Sequence, residues 1–462
     1  MPILIVALAL AASAALGFFA TSVPPHIIFA VAAAAGVSLL AFTSPKLSLS
    51  LLLVSMLFSP EIGFGALTGS RSVVVRYDDI LLVIIFLSWL ARTAVMKGKA
   101  FISGTPVQAP IILYTSICVV STVLGILRGD LRTQMAFFYV LKYVEYFLLY
   151  FMTVNVLESK EDMHKYIKLA FYISLAVTVY AYIYYLTAGS GARASAPFEA
   201  PFGKPEESEP ASLGGYYLIV MGVLFGVITS ASGPLTLWPL AALAYIFPAF
   251  LLTFSRASYM GFAAMMLTIL FKTGRRRLLI IGVLVLGLAA LFGVKSFSGK
   301  VRERVEMTYS GQYAVNKVRV LGVEFRLEES AYSRYAMMRD VFSKWLPMHP
   351  ILGRGVTGIG LGDTQYALLL GEIGLLGFLA FSWMAYRIYL AASAVYLWYE
   401  ETWIKAAAIG LMAALAGLLA QASGVNTFII VRIMEPFWFL TAVVMRLYTL
   451  GKEQNMPVPG DA

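Results

Sequence analysis

Ten arginines stand in polar connections between apolar runs: Arg71, Arg76, Arg128, Arg132, Arg193, Arg256, Arg334, Arg339, Arg354 and Arg432. A guanidinium is a planar fork of donors that grips a phosphate through two parallel hydrogen bonds, where an ammonium offers a point charge. Several short connections that alternate with these carry lysine instead, among them Lys46, Lys97, Lys99, Lys160, Lys165 and Lys405. An arginine-rich face of this kind is the pattern of a phosphate or pyrophosphate site. Any one of these arginines also has a structural use, by snorkelling to lipid headgroups or by pairing with Asp78, Asp79, Asp130 or Glu199. The stretch TFSRASYM (253–260) is the sharpest case, because it sets Arg256 in a short hairpin between two long apolar runs.

The elements that must position these arginines are membrane helices. Of the 462 residues, 60% are hydrophobic and 13% charged, and soluble domains carry about a quarter charged residues. Apolar windows long enough for about 30 Å of hydrocarbon recur along the chain. The fold class expected is all-α, a polytopic transmembrane bundle of about 12–14 spans. They fall at 3–20, 26–43, 49–65, 80–96, 108–127, 135–156, 166–187, 212–231, 236–254, 257–271, 278–294, 365–386, 403–422 and 433–450. The first of these, MPILIVALALAASAALGFFA, lacks a basic leader and reads as a span, not a cleaved signal. KTGRRR (272–277) is the most basic short connection and is placed in the cytoplasm; alternation from there puts both termini inside and the arginine-bearing connections outside.

Three regions follow: 1–294, an N-terminal transmembrane bundle; 295–364, a large extracytoplasmic loop; and 365–462, C-terminal transmembrane helices with a short cytoplasmic tail. A second outer connection, 188–211, is rich in Pro, Gly, Ser and Glu. Within the large loop, Tyr332, Tyr335, Met338, Phe342 and Trp345 recur at helical spacing, with Pro347 and Pro350 to end the helix. Arg334 and Arg339 lie off that stripe, so the amphipathic helix either rests on the membrane surface or covers a site.

Other classes find less support. Cys118 is alone, so no intrachain disulfide exists, and His26, His164 and His349 are scattered without a metal-ligand spacing. The net charge of +10 reflects topology and headgroups in a chain of this composition, not nucleic acid. Lys142 and Glu145 fall one turn apart inside an apolar run, as a mutual ion pair or as part of a proton or ion path. Gly371, Gly374 and Gly377 offer a small-residue face for close helix packing.

Three stretches, in this order, resemble the O-antigen ligase and polymerase superfamily, the membrane glycosyltransferases of surface polysaccharide assembly. TFSRASYMGF (253–262) is similar to that family's Ser-Arg turn before a small-residue helix. SRYAMMRDVFSKWLPMHPILGRG (333–355) is similar to its arginine, amphipathic helix and His-Pro-glycine turn. GDTQYALLLGEIGLLGFLAF (362–381) follows its His-Asn-x-Tyr helix. A softer likeness is RASAPFEAPFGKPEESEPASLGGYYLIV (193–220), and order and spacing agree from about 60 to 450. One departure is Asp363, standing where ligases of the family carry histidine; this favours a polymerase-like member.

The resemblance implies a polyprenyl-pyrophosphate-linked oligosaccharide as donor and another as acceptor, joined at the outer face of the cell membrane. It needs no cofactor and no metal, has membrane lipids as partners, and leaves room for a chain-length regulator. Arg256, Arg334, Arg193 and Arg339 would bind the pyrophosphate. Asp363 and Glu372 would be the catalytic carboxylates, with capping or arginine pairing as the structural alternative for Glu372. Gln365 and Tyr366 would meet the acceptor sugar. The rival functions are a ligase-type transferase to another acceptor and a transporter of lipid-linked oligosaccharide, against which stands the lack of an internal repeat.

Overall fold

The computed structural model describes residues 25–63, 74–96, 104–189, 191–199, 208–231, 237–274, 276–282, 284–285, 316–320, 323–360, 362–454 and 456. The expected span at 3–20 and most of that at 278–294 lie outside these residues. Seven of the described helices are long and apolar enough to cross a membrane. They are α4 (Gln108–Leu127), α5 (Thr133–Val156), α6 (Lys160–Thr187), α7 (Pro210–Ser230), α11 (Gln365–Trp398), α12 (Thr402–Gln421) and α13 (Val431–Glu453). Helices also stand at five other expected spans: α1 (Pro25–Thr43), α2 (Pro45–Phe58), α3 (Tyr77–Val95), α8 (Trp238–Leu251) and α9 (Arg256–Lys272). The protein is therefore all-α and polytopic in character.

Two short antiparallel hairpins were not anticipated. Strand β1 (Glu61–Gly63) pairs with β2 (Val74–Arg76), so the run expected to span 49–65 ends at Phe58. Strands β3 (Asn316–Val320) and β4 (Val323–Leu327) lie in the large loop, just before α10 (Glu329–Asp340). Runs this short carry too few residues for a period of two to show.

The centre of the bundle is α7 against α12, with α9 and α13 beside them. Small residues let the backbones approach: a Cβ on Gly222 would stand 2.9 Å from Gly410 O, and one on Gly261 would stand 2.7 Å from Gly417 O. Apolar surface gives no preference for protein over lipid inside a bilayer, so close van der Waals contact of this kind is what holds the helices together.

A helix, α10, stands where the amphipathic one was expected, but it buries none of the expected stripe. After α10 the chain makes a wide π turn over Val341–Trp345 and stops at Met348. Val341 is buried, with Met337, Met338, Trp345 and Leu346 packed around it against Ala367 and Leu370; Phe342 is exposed. A π turn holds an extra residue, which shifts every later side chain around the axis.

One device organises the end of the bundle near α10. Helix α11 breaks at Gly374, where φ is 67° and ψ is −168°, a conformation closed to L side chains. The break would orphan backbone donors, and the preceding loop supplies their acceptors: Leu375 N donates to Pro350 O (2.9 Å) and Leu376 N to Ile351 O (3.1 Å). In return Arg354 N donates to Gly371 O (2.9 Å) and Gly355 N to Glu372 O (2.7 Å). A Cβ on Gly374 would stand 2.4 Å from Ile351 O, and one on Gly353 would stand 2.4 Å from the carbonyl carbon of Glu372. The glycines at 371 and 374 thus serve close approach to an inserted loop, not a helix-packing face.

Candidate functional site

Arg256 is the first residue of α9, and the turn that carries it is held from three helices. Ser255 caps α9 by accepting a hydrogen bond from Ser258 N (3.3 Å), and Ser258 Oγ donates to Ser255 Oγ (2.8 Å). Gln421 Nε2, on α12, donates to Ser258 Oγ (3.1 Å) and to Ala211 O of α7 (2.8 Å). Gly214 makes room, since a Cβ there would overlap Ser258 Oγ at 2.2 Å. Both serines therefore fix the turn. The Arg256 guanidinium is ion-paired through Nη2 with Glu328 Oε1, the residue that precedes α10.

The segment that carries Arg193 lies on the same turn: Ala194 N donates to Leu252 O at 2.9 Å. Glu199 shapes that segment by accepting from Ser195 Oγ (2.7 Å), Ala196 N (3.3 Å) and Ser212 Oγ. Arg432, buried at the start of α13, locks it in place, with Nη1 3.6 Å from Glu199 Oε1 and Nη2 donating to Pro197 O at 3.2 Å.

Arg334, on α10, completes the set. Its side chain is half-buried, and its Nε is buried with no hydrogen-bond partner. The charges that face it are Asp363, Arg256 and Glu328. Burial pulls the Arg334 guanidinium below its ordinary value and Arg256 adds to this, while the Asp363 and Glu328 carboxylates oppose it. Residues remote in sequence, Arg256, Arg334 and Asp363, thus share one electrostatic neighbourhood. Glu328 was missed from sequence; the only signal available was its place immediately before a helix in the same loop.

The remaining predicted site residues lie elsewhere or are engaged. Arg339 is exposed and forks onto its neighbour Asp340, with Nε 3.0 Å and Nη2 2.8 Å from Oδ1. Glu372 is buried at the break in α11, where Oε1 accepts from Thr357 N (2.7 Å) and Oε2 from Tyr143 OH (3.3 Å). No arginine among the described residues pairs with it, and its visible contacts hold the inserted loop. Gln365 Oε1 accepts from Phe428 N (2.9 Å) and Tyr366 OH donates to Leu419 O (2.6 Å), which tie the start of α11 to the end of α12.

Four other arginines close ion pairs of the structural kind. Arg76 Nη2 lies 2.7 Å from Asp78 Oδ2, and Arg432 meets Glu199 as described. Arg128 and Arg354 share Asp130, at 3.1 and 3.0 Å. Against a desolvation that would raise it, those two guanidiniums hold the Asp130 carboxyl below the usual carboxylate range. Lys142 does bind Glu145, at 3.2 Å, and also Asp79, at 2.5 Å.

An apolar cavity of about 620 Å³, lined by Leu53, Tyr216, Val223, Trp403 and Phe439 among others, and a polar one of about 850 Å³, lined by Lys46, Arg92 and Arg446, contain none of the predicted site residues. No protein-family model matches this chain, and no curated protein matches it. What the fold and the site define is a class: a polytopic helical protein of membrane type, with an arginine pair and two carboxylates gathered at one end of the bundle.

Proposed function

We propose that this protein is a polysaccharide polymerase of O-antigen type, acting in the cell membrane with its site on the extracytoplasmic side and both termini in the cytoplasm. It moves a glycan from polyprenyl pyrophosphate onto a hydroxyl of a second lipid-linked saccharide. What supports the reading is that Arg256 and Asp363, from two separate segments, both act electrostatically on Arg334. The Arg334 guanidinium keeps a buried Nε without a described hydrogen-bond partner beside a second guanidinium, and a diphosphate would supply acceptors for both forks.

In the reaction, the acceptor oxygen bonds to the anomeric carbon as the bond from that carbon to the pyrophosphate oxygen breaks. The leaving group departs with the bonding pair, and its growing negative charge is met by the Arg256 and Arg334 forks. A fixed donor aimed at developing charge contributes about 2.7–4 kcal/mol in other enzymes. The acceptor proton passes to the Asp363 carboxylate, which stands in the neighbourhood of Arg334. Arg256 exchanges Glu328 for the diphosphate on binding, so Glu328 holds the fork in readiness when the site is empty. Arg193 is carried alongside as a third donor.

Purified protein in detergent, given a lipid-linked repeat unit, tests this. Chain growth identifies a polymerase, transfer to a different added acceptor identifies a ligase, and inactivity toward both leaves the transporter, because detergent has no sides to carry across. Arg256→Lys keeps the charge and loses the fork; chain growth should drop at least tenfold. Full polymer synthesis by that variant would remove the bidentate role.

A further inference from the structure

A second polar group, unused by the reaction above, lies at the same end of the bundle. Helix α3 opens with Asp78 and Asp79 after strand β2, α5 contributes Lys142 and Glu145, and α13 contributes Glu435, one turn beyond Arg432. Asp78 and Glu435 are each 0% exposed, and Arg76, Asp79 and Glu145 are buried around them. Four carboxyl groups therefore face two cations among the described residues.

The cations are already committed. Lys142 is shared between Asp79 (2.5 Å) and Glu145 (3.2 Å). Arg76 donates through Nη2 to Met56 O, and the same nitrogen lies 2.7 Å from Asp78 Oδ2, off the axis of a hydrogen bond. From α2 and the residue that follows it come that carbonyl and the Ser59 hydroxyl, which accepts from Asp78 N (2.9 Å). Neither oxygen of Glu435 receives a hydrogen bond from any donor among the described residues. Its carboxyl group instead faces that of Asp78 within hydrogen-bonding reach. Two carboxylates in such contact repel; with one proton between them they attract, as in enzymes whose paired acids share a proton.

We propose that Asp78 and Glu435 form a carboxyl pair that binds one proton inside the bundle. The ligand is a proton and not a metal ion: no described group of three or more acidic, histidine or cysteine side chains is arranged to hold one. The charged groups facing the pair are Arg76 and Asp79 on the α3 side and Lys142 and Glu145 on α5. The site shares α13 with Arg432, whose guanidinium locks the segment carrying Arg193.

Infrared spectroscopy of the full-length protein in nanodiscs tests the proposal. At neutral pH the wild type should show the carbonyl stretch of a buried protonated carboxyl group, shifted in D2O. Read in a Glu372→Gln background, which removes a further buried carboxyl group, the band should vanish in Glu435→Gln and in Asp78→Asn, and persist in Glu145→Gln. A band that survives Glu435→Gln there assigns the proton to another acid and overturns the pair. A wild type with no such band overturns it without any variant, and so covers the case in which Glu435→Gln fails to fold. Replacing sodium by choline should leave the band and the melting temperature unchanged; a lowered melting temperature would make the occupant a metal cation and reject the proton.

Discussion

Arg354 and Arg334 flank the same wide turn and meet opposite fates. Arg354 is saturated: its guanidinium reaches Asp130 (3.0 Å), lies 4.5 Å above the Trp345 ring, and its backbone nitrogen is held by Gly371. Arg334 is half-buried, has an unfilled donor and faces a second guanidinium. A saturated arginine stabilises the fold that holds it, whereas one kept beside a like charge costs stability. Perturbed groups cluster at functional sites, and the difference sets Arg334 apart from Arg354.

The strongest way to break the comparison is Arg334→Ala. Chain growth should fall about 100- to 1000-fold, as for loss of one charge-stabilising donor, while the melting temperature changes little, because the like charge of Arg256 and the carboxylates of Asp363 and Glu328 act on Arg334 in opposite senses. A marked loss of thermal stability would place Arg334 with the structural arginines. Gly374→Ala attacks the scaffold instead. A side chain at φ 67° with Ile351 O at 2.4 Å should cost about 3 kcal/mol in thermal unfolding; an unchanged melting point would mean the break in α11 is not fixed by the inserted loop.

Asp130→Asn sharpens the saturated side. The pair is partly exposed, so the loss should be about 1 kcal/mol at neutral pH. Because the folded carboxyl sits below its ordinary range, its contribution is present above that range and disappears as pH falls through the folded value. Wild type and variant should therefore converge in acid, which melting curves across pH can read. Arg339→Ala, on an exposed side chain, should leave both the melting temperature and chain growth unchanged. If it abolished synthesis, the pyrophosphate role expected for Arg339 from sequence would return.

The helices were legible because a long apolar run has few alternatives. Their interruptions were not. Gly374 inside GEIGLLG reads the same whether it packs against a helix or breaks one, and the choice is made by Ile351 and Gly353 from the preceding loop. The phase of the amphipathic helix failed for a local reason, the extra residue of the π turn at Val341–Trp345. Sorting the arginines needed their partners. Asp78, Asp130 and Glu199 could be named in advance, but which arginine each would hold depends on tertiary approach, and Glu328 gave no sign of reaching Arg256. Glu435 could have been noticed, since an acid within VRIMEPFWFL is itself a signal.

The reciprocal hold between Gly353 and Gly374 also bears on biogenesis. The ribosome makes the loop before the helix it mends, so the amides of Leu375 and Leu376 emerge after their acceptors already exist. A nascent segment entering hydrocarbon with bare amides would be penalised. The bonds between residues 350–355 and 371–376 therefore have to form as α11 enters the bilayer, and not after it.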